Sequence, residues 1–344
     1  MFMQGVNLLN NVNKYCDTFI ENVDSFLTLK TKDDNKLTSE IIDFIISSGG
    51  KRIRPRLVFL CFKACLAHLN VKDEDLEIAT SNLVKAASVI ELIHTASLLH
   101  DDIIDEATKR RGKKTANTIW GNKEVILVGD YLFAKSFSLI SELKNLELVN
   151  FLSSACLELT MGEVKQLCAR SIINVSIAEY DNIIYQKTAS LFECSAKIGS
   201  FIAADFASNN CNNLDNNIIK SFANFGMYIG KAFQVVDDIL DYDSNFSLFG
   251  KDVGRDFLEG KITLPIILGF EDEFILNTFK NKDFTDKSFK DVCKILQNKG
   301  ILQKARHNAK ELIDSAIFSL DGIKHSPQKQ MLSDLANSLA KRIS

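Results

Sequence analysis

Two aspartate clusters of the same form stand far apart in this 344-residue chain: Asp101-Asp102-Ile103-Ile104-Asp105 and Asp237-Asp238-Ile239-Leu240-Asp241. In each, the first and last aspartates are four residues apart. On an α-helix that spacing puts both carboxylates on one face, one turn apart. Carboxylates held so close repel unless a cation sits between them. Oxygen ligands of this kind suit Mg²⁺, which takes one or two carboxylates and fills its other positions with water and substrate phosphates. Two such clusters facing each other would clamp a diphosphate. A single acidic cluster is also what a solvated helix face looks like. Both copies here lie inside apolar runs, 86–104 and 225–240, where charge is costly unless it is coordinated or paired.

Basic residues supply the other half of such a site. Lys51 and Arg54 follow Gly49-Gly50. Three residues apart, they share a helical face, and the glycines let a ligand approach the backbone. A cationic helix start is unfavourable unless an anion is bound there. His94 lies two turns before Asp101 on the same face, although a satisfied core histidine is the plainer reading; His100 points to another face and would support the aspartates indirectly. Arg110 and Arg111 follow the first cluster. Guanidinium groups grip phosphate through paired hydrogen bonds; the alternative is an ion pair with Asp105 or Glu106. Lys187-Thr188 sits in a helical run, where the Thr188 hydroxyl can bond back to a carbonyl and bend the axis. Gln234 precedes the second cluster, and the polar loop 250–260 carries Lys251, with Lys261 directly after it.

The elements that must position these residues read as helices throughout. The periodicity predicts helices over 8–27, 37–47, 55–69, 73–105, 122–143, 146–168, 177–206 and 216–242, then three or four shorter ones over 261–343. Gly129 and Gly162 mark close-packing points, and the Asn-rich stretch 208–217 reads as a loop. No strand alternation is present. The composition agrees: 46% hydrophobic residues, only 3 prolines and 16 glycines. A net charge of −3 gives no reason to expect nucleic acid as a partner. The 8 cysteines form no CxxC pair, which fits a reduced, cytoplasmic setting. The first 20 residues show no signal-peptide pattern, and no continuous apolar run reaches 18 residues, so no transmembrane helix is expected.

Taken together, these motifs resemble the trans-prenyltransferase family, the polyprenyl diphosphate synthases of octaprenyl or decaprenyl type. The resemblance adds Tyr185 to Ala189 and the leucine-rich basic stretch 335–342, and runs over nearly the whole chain. It implies an all-α fold, a single large antiparallel helix bundle around a central cavity, formed by one domain over residues 1–344. It also implies the roles. Asp101, Asp105 and Asp237 hold Mg²⁺ against an allylic diphosphate, supported by Asp102, Asp238 and Asp241. Arg110, Lys187, Thr188, Gln234 and Lys251 contact that substrate, such as farnesyl diphosphate; Lys261 is a weaker member of the group. Lys51, Arg54, His94 and Arg111 hold isopentenyl diphosphate. A homodimer, a cytoplasmic location and a quinone side chain as the product's use follow by the same resemblance, with transient membrane contact when the long product leaves.

Product length is read from the helix before the first cluster. Counting back from Asp101, the residues on that side are Ser97, Ala96 and Ile93, the last about 12 Å away. Short-chain members of the family carry bulky aromatics there, so Ala96 and Ser97 imply an open route and an octaprenyl-like product. Phe133 or Phe137 would form the floor. Three competing readings remain: a short-chain farnesyl or geranylgeranyl synthase, a non-catalytic partner subunit, and a terpene cyclase. The six intact aspartates oppose the partner subunit, and Lys51 with Arg54 opposes the cyclase.

Overall fold

The computed structural model describes residues 2–32, 35–71, 76–110, 112–170, 173, 175–208, 216–243 and 253–343, with backbone alone for 2–9. Arg111, Lys251 and most of the loop before Gly254 therefore lie outside the described residues. Helices α1 (Phe2–Lys30), α2 (Lys36–Ser47), α3 (Ile53–Leu69) and α4 (Glu77–Ile104) open the chain. After a hairpin come α5 (Ala116–Trp120), α6 (Asn122–Ser141), α7 (Leu146–Ala169) and α8 (Ile177–Ile184). A π-helical turn, Tyr185–Ala189, joins α8 to α9 (Ser190–Ser208), and α10 (Asn216–Tyr242) follows. The remainder is α11 (Arg255–Leu258), α12 (Leu264–Gly269), α13 (Glu273–Lys280), α14 (Asp286–Asn298), α15 (Ile301–Ser319) and α16 (Pro327–Ala340). The all-α reading holds, with one addition: a two-residue ribbon pairs Lys109–Arg110 with Lys113–Lys114. The predicted long helices recur within a few residues. The expected single helix over 177–206 is instead broken by the π turn, and five helices rather than three or four follow residue 261.

Local chemistry fixes several boundaries. Asn35 caps α2, and Asn145 caps α7 by accepting from the Glu147 and Leu148 N–H groups. Ser176 and Glu179 form a reciprocal capping box at the start of α8. Helices α3, α4, α9 and α10 bury nearly all their apolar side chains in one core with α1, α15 and α16. A smaller aromatic core of Tyr242, Phe257, Phe270, Phe279, Phe284 and Phe289 supports α11 to α14. Helix α4 is long and apolar enough to cross a membrane by length and composition, contrary to the expectation from uninterrupted apolar runs, but 78% of its most apolar stretch is buried inside the bundle.

Glycines decide how closely α7 and α10 approach the π turn. A Cβ on Gly162 would lie 2.4 Å from the Lys187 backbone nitrogen, and one on Gly230 would lie 2.5 Å from the Ala189 Cα. The turn that presents Lys187 and Thr188 is thus gripped from both sides by backbone contact that no larger residue would allow. The expected packing role of Gly129 is present too: its Cβ would fall 2.2 Å from the His100 ring.

Candidate active site

Asp101 and Asp102 lie in the last turn of α4, and Asp105 caps that helix. Asp102 is buried and accepts from Arg110 Nε at 2.9 Å. Arg110 thus has a carboxylate partner, Asp102 rather than the Asp105 or Glu106 weighed from sequence. Asp105 carries two cations, Arg170 and Lys261, the latter at 2.9 Å. Burial works to raise its pKa, but Lys261, Lys187 and Arg170 outweigh it and hold the carboxyl below its ordinary value. Asp101 differs. Burial pushes it up to about 6, the charges of Glu163 and Asp105 push the same way, and Lys187 and Arg110 oppose.

Lys187 reaches from the π turn to Gln166 at 2.6 Å and pairs with Glu163, both on α7. Glu163 Oε1 is buried with no hydrogen-bond partner among the described residues. Thr188 does not bond back to a carbonyl as expected. Its hydroxyl donates to Gln234 Oε1 at 2.7 Å, because the π turn, not a threonine back-bond, already supplies the distortion of the helix.

The second cluster occupies the C-terminal end of α10, which stops at Tyr242. Gln234 Nε2 donates to Asp238 Oδ1 at 2.9 Å, and the Tyr180 hydroxyl donates to Asp238 Oδ2 at 2.6 Å. Burial, then the charge of Asp256, push Asp238 up to about 8 despite these donors. Asp241 accepts from the backbone N–H groups of Gly254 and Asp256, both at 3.0 Å, and burial with the Asp256 charge pushes it up to about 7. Asp237 is more open and accepts from Arg342 Nη2 at 2.9 Å.

Lys261, the weaker sequence candidate, ties the clusters together. Its ammonium lies 2.9 Å from Asp105 and 3.8 Å from Asp256, whose N–H donates to Asp241. Arg255, which starts the short helix α11 where a plain loop was expected, pairs with Glu259. A cavity of about 80 Å³ lies here, lined by Gln166, Tyr180, Lys187, Gln234, Asp238 and Lys261 among others. A larger recess of about 670 Å³ between α10 and α15 contains none of these residues.

The second basic group is arranged differently from expectation. Lys51 and Arg54 do not share a helical face, because α3 starts at Ile53 and Arg52 before it is left-handed (φ 47°). Arg52 is held by Asp24 and Glu91. Arg54 stacks 4.4 Å over the Phe192 ring, its Nε is buried without an acceptor among the described residues, and burial lowers its pKa to about 10 against the pull of Glu91. Lys51 is exposed and His94 half-buried. His100 points to another face, as expected, towards α6, its Nε2 3.2 Å from the Ile126 carbonyl and 3.5 Å from Asp130; neither contact leads to the aspartates it was expected to support indirectly.

Sequence reading missed Glu163, Gln166, Arg170, Tyr180, Asp256 and Arg342. The Gly162-Glu163 pair was the available signal for one of them: a close-packing glycine followed by an acid in an otherwise apolar helix. Among the described residues no three carboxylate, histidine or cysteine groups converge as a ready-made metal cage. A divalent ion still fits, since Asp101 is a half-buried carboxylate crowded by Glu163 and Asp105, and Mg²⁺ completes its shell from phosphate and water.

Comparison with known proteins agrees with this geometry. The polyprenyl synthetase family model matches residues 35–296. The octaprenyl diphosphate synthase of Haemophilus influenzae is 31% identical, covering 98% of each chain. The decaprenyl diphosphate synthase structure from Rhodobacter capsulatus superposes with a TM-score of 0.87 at 30% identity, over 97% of this chain and 99% of that one. A polyprenyl synthase from Caulobacter crescentus CB15, complexed with calcium and isoprenyl diphosphate, gives 0.86 at 30% identity over 97% and 98%. The chain therefore belongs to the polyprenyl synthetase family and is a prenyltransferase of its medium- to long-chain, trans-polyprenyl diphosphate-forming branch.

Proposed function

We propose that this enzyme, acting as one domain, extends an allylic diphosphate such as farnesyl diphosphate with isopentenyl diphosphate to an octaprenyl-like product. The observation that carries the site reading is the Lys261–Asp256 bridge, which holds the two aspartate clusters as opposite walls of one cleft. Asp101, Asp105 and Asp237 would hold Mg²⁺, with Asp102, Asp238 and Asp241 fixing their surroundings. When bound, the divalent ion neutralises charge on the departing pyrophosphate. Arg110, Lys187 and Lys251 add fixed positive charge to the same group, and Thr188 and Gln234 orient it. Lys51, Arg54, His94 and Arg111 present the isopentenyl double bond to the allylic carbon. Arg54 supports that assignment, as a buried guanidinium whose Nε has no acceptor among the described residues suits a phosphate oxygen. The allylic C–O bond breaks, a C–C bond forms, and a proton leaves to the released pyrophosphate.

The product route follows α4. Ile93, Ala96 and Ser97 are all buried. Gly129 packs on His100, and Glu142 pairs with Lys85 at 2.6 Å, so α4 and α6 run antiparallel. That register sets the Phe133 backbone at the level of Thr95 and Ala96, with its ring turned up towards His100, centroids 5.8 Å apart, and Phe137 about one turn lower. The floor is therefore assigned to Phe137. A homodimer is supported by exposed apolar residues, Leu157, Met161 and Val164 on α7 and Ile126 and Leu127 on α6. The proposed setting is the cytoplasm, with transient membrane contact on release of a product destined for a quinone side chain.

One incubation tests the reading: purified chain, Mg²⁺, farnesyl diphosphate and excess isopentenyl diphosphate, followed by product sizing. Octaprenyl diphosphate is expected. Termination at geranylgeranyl diphosphate overturns the open route, and no turnover by the lone chain overturns its catalytic independence.

A further inference from the structure

A chain of three hydrogen bonds crosses the site from α8 to the π turn. The Tyr180 hydroxyl donates to Asp238 Oδ2 at 2.6 Å, Gln234 Nε2 donates to Asp238 Oδ1 at 2.9 Å, and the Thr188 hydroxyl donates to Gln234 Oε1 at 2.7 Å. Each link has a forced direction. When Asp238 is ionised, as it would be in the ion-loaded site, its carboxylate only accepts, so Tyr180 must donate to it. The Gln234 amide must then present its nitrogen to Asp238, which leaves its oxygen for Thr188. Both oxygens of Asp238 are thereby taken, and the group is 2% exposed. Asp237, the residue before it, is instead part-open and bound to a cation.

Tyr180 is itself placed with little freedom. It follows Glu179, the acidic partner in the reciprocal cap with Ser176 at the head of α8. Its ring is 5% exposed. Along the same helix the π turn begins at Tyr185 and presents Lys187 beside Thr188. Tyr180, Lys187, Gln234 and Asp238 line the same small cavity.

We propose that Tyr180 is a positioning residue for the allylic diphosphate: through Asp238 it locks the orientation of Gln234, and through Gln234 it fixes Thr188 and the adjoining Lys187. Asp238 then serves as the relay between α8 and α10, not as a metal ligand. One N–H of Gln234 stays available for a phosphate oxygen because the other is committed to Asp238. Without the Tyr180 hydroxyl, Asp238 keeps a single donor and the Gln234 amide is free to turn over. The damage falls on the substrate that Lys187 and Gln234 face. It spares the Arg54 group and the ion held by Asp101, Asp105 and Asp237. This inference rests on the proposed division of the site into two diphosphate halves.

The test is Tyr180→Phe in the full chain, with Asp238→Asn and the double variant. Steady-state kinetics are measured with each substrate varied, and Mn²⁺ bound in the presence of inorganic pyrophosphate is counted by electron paramagnetic resonance. Tyr180→Phe is expected to raise the KM for the allylic diphosphate about tenfold, with the KM for isopentenyl diphosphate within twofold. Mn²⁺ per chain should be unchanged in both single variants. The double variant should be no worse than the worse single one, as members of one relay act as a unit. Equal effects on both substrates, or additive losses in the double variant, overturn the relay. Loss of a Mn²⁺ ion in Asp238→Asn overturns the claim that Asp238 is not a ligand, and if Tyr180→Phe fails to fold, that count still decides. An Asp237→Asn control separates the layers: if it binds Mn²⁺ as the unaltered enzyme does, the reading of the metal site itself fails.

Discussion

The two aspartate clusters share a spacing and differ in nearly everything around it. The first lies at the end of α4, where the helix stops and side chains from three other segments reach it. Its partners are charged: Arg110 on Asp102, and Arg170 with Lys261 on Asp105. The second also lies at a helix end, in the last turns of α10, but two of its three carboxylates are met by neutral donors: a phenol and an amide on Asp238, two backbone N–H groups on Asp241. The consequence appears in their acidity. Asp105 is held below its ordinary pKa by cations, whereas Asp238 and Asp241 are pushed by burial and by Asp256 to about 8 and about 7. A repeated motif thus marks two different devices, one built on fixed cations and one on hydrogen bonds that position a single open carboxylate, Asp237.

The largest expected effect tests whether the devices converge on one ion-binding cleft. Asp101→Ala and Asp237→Ala should each lower kcat by about 10³-fold or more while the protein keeps its melting temperature within a few degrees. EDTA should abolish turnover and Mg²⁺ restore it. Near-normal kcat in either variant would mean that only one cluster handles the diphosphate.

A second comparison uses an accident of spacing. Ala96 and Ala232 each stand five residues before the first aspartate of their cluster, and both are fully buried. Only α4 is assigned the product route. Ala96→Phe should therefore shorten the product to farnesyl or geranylgeranyl diphosphate with turnover retained. Ala232→Phe should instead destabilise the bundle by overpacking, typically about 1–3 kcal/mol, without setting a new product length. Product sizing and thermal melts of the two variants decide the matter. A shortened product from Ala232→Phe would place the growing chain along α10.

How much of this was legible in sequence follows from the same contrast. The helices, the clusters and the basic groups could be read because periodicity and charge spacing are local. Lys51 with Arg54 misled because one left-handed residue, Arg52, delays the helix, and no spacing rule anticipates that. The π turn was invisible because it depends on Gly162 and Gly230 pressing from α7 and α10. Tyr180, Arg170 and Arg342 escaped for a related reason: each sits far from the clusters in sequence, and only the packed bundle brings it to an aspartate.

The acidity difference predicts how the metal-free protein responds to pH. Asp238 and Asp241 are protonated in the metal-free native state below about 7, whereas in the unfolded chain they ionise near their ordinary value of about 4. Groups with raised native pKa values give stability that is complete below the unfolded value and lost as pH rises through the native one. In EDTA the melting temperature should therefore fall between pH 5.5 and 8.5, on the order of 5 °C. Asp105, with its lowered value, contributes in the opposite sense and only near pH 4. Asp238→Asn should flatten the slope, and Mg²⁺ with pyrophosphate should do the same to the unaltered enzyme. A melting temperature that rises over this window would mean that the second cluster is ionised without a metal.

The smallest expected effect concerns Arg342, the one charged partner of the second cluster among the described residues. Its guanidinium makes a single hydrogen bond to Asp237 and lies 5.5 Å over the Phe233 ring, one turn before that aspartate. Buried Ile343, next in the chain, anchors the segment, so the arginine is held by packing as well as by charge. Both partners are partly exposed, 28% and 37%, and such a pair contributes only about 0–1 kcal/mol after solvent screening. Arg110 on buried Asp102 has no such freedom to exchange. Arg342→Gln should thus shift the metal-free melting temperature by less than about 3 °C, whereas Arg110→Gln, which strands a buried carboxylate, should cost several times more. Equal losses would show that the cation on Asp237 is as structural as the one on Asp102, and the division between the two clusters would have to be drawn elsewhere.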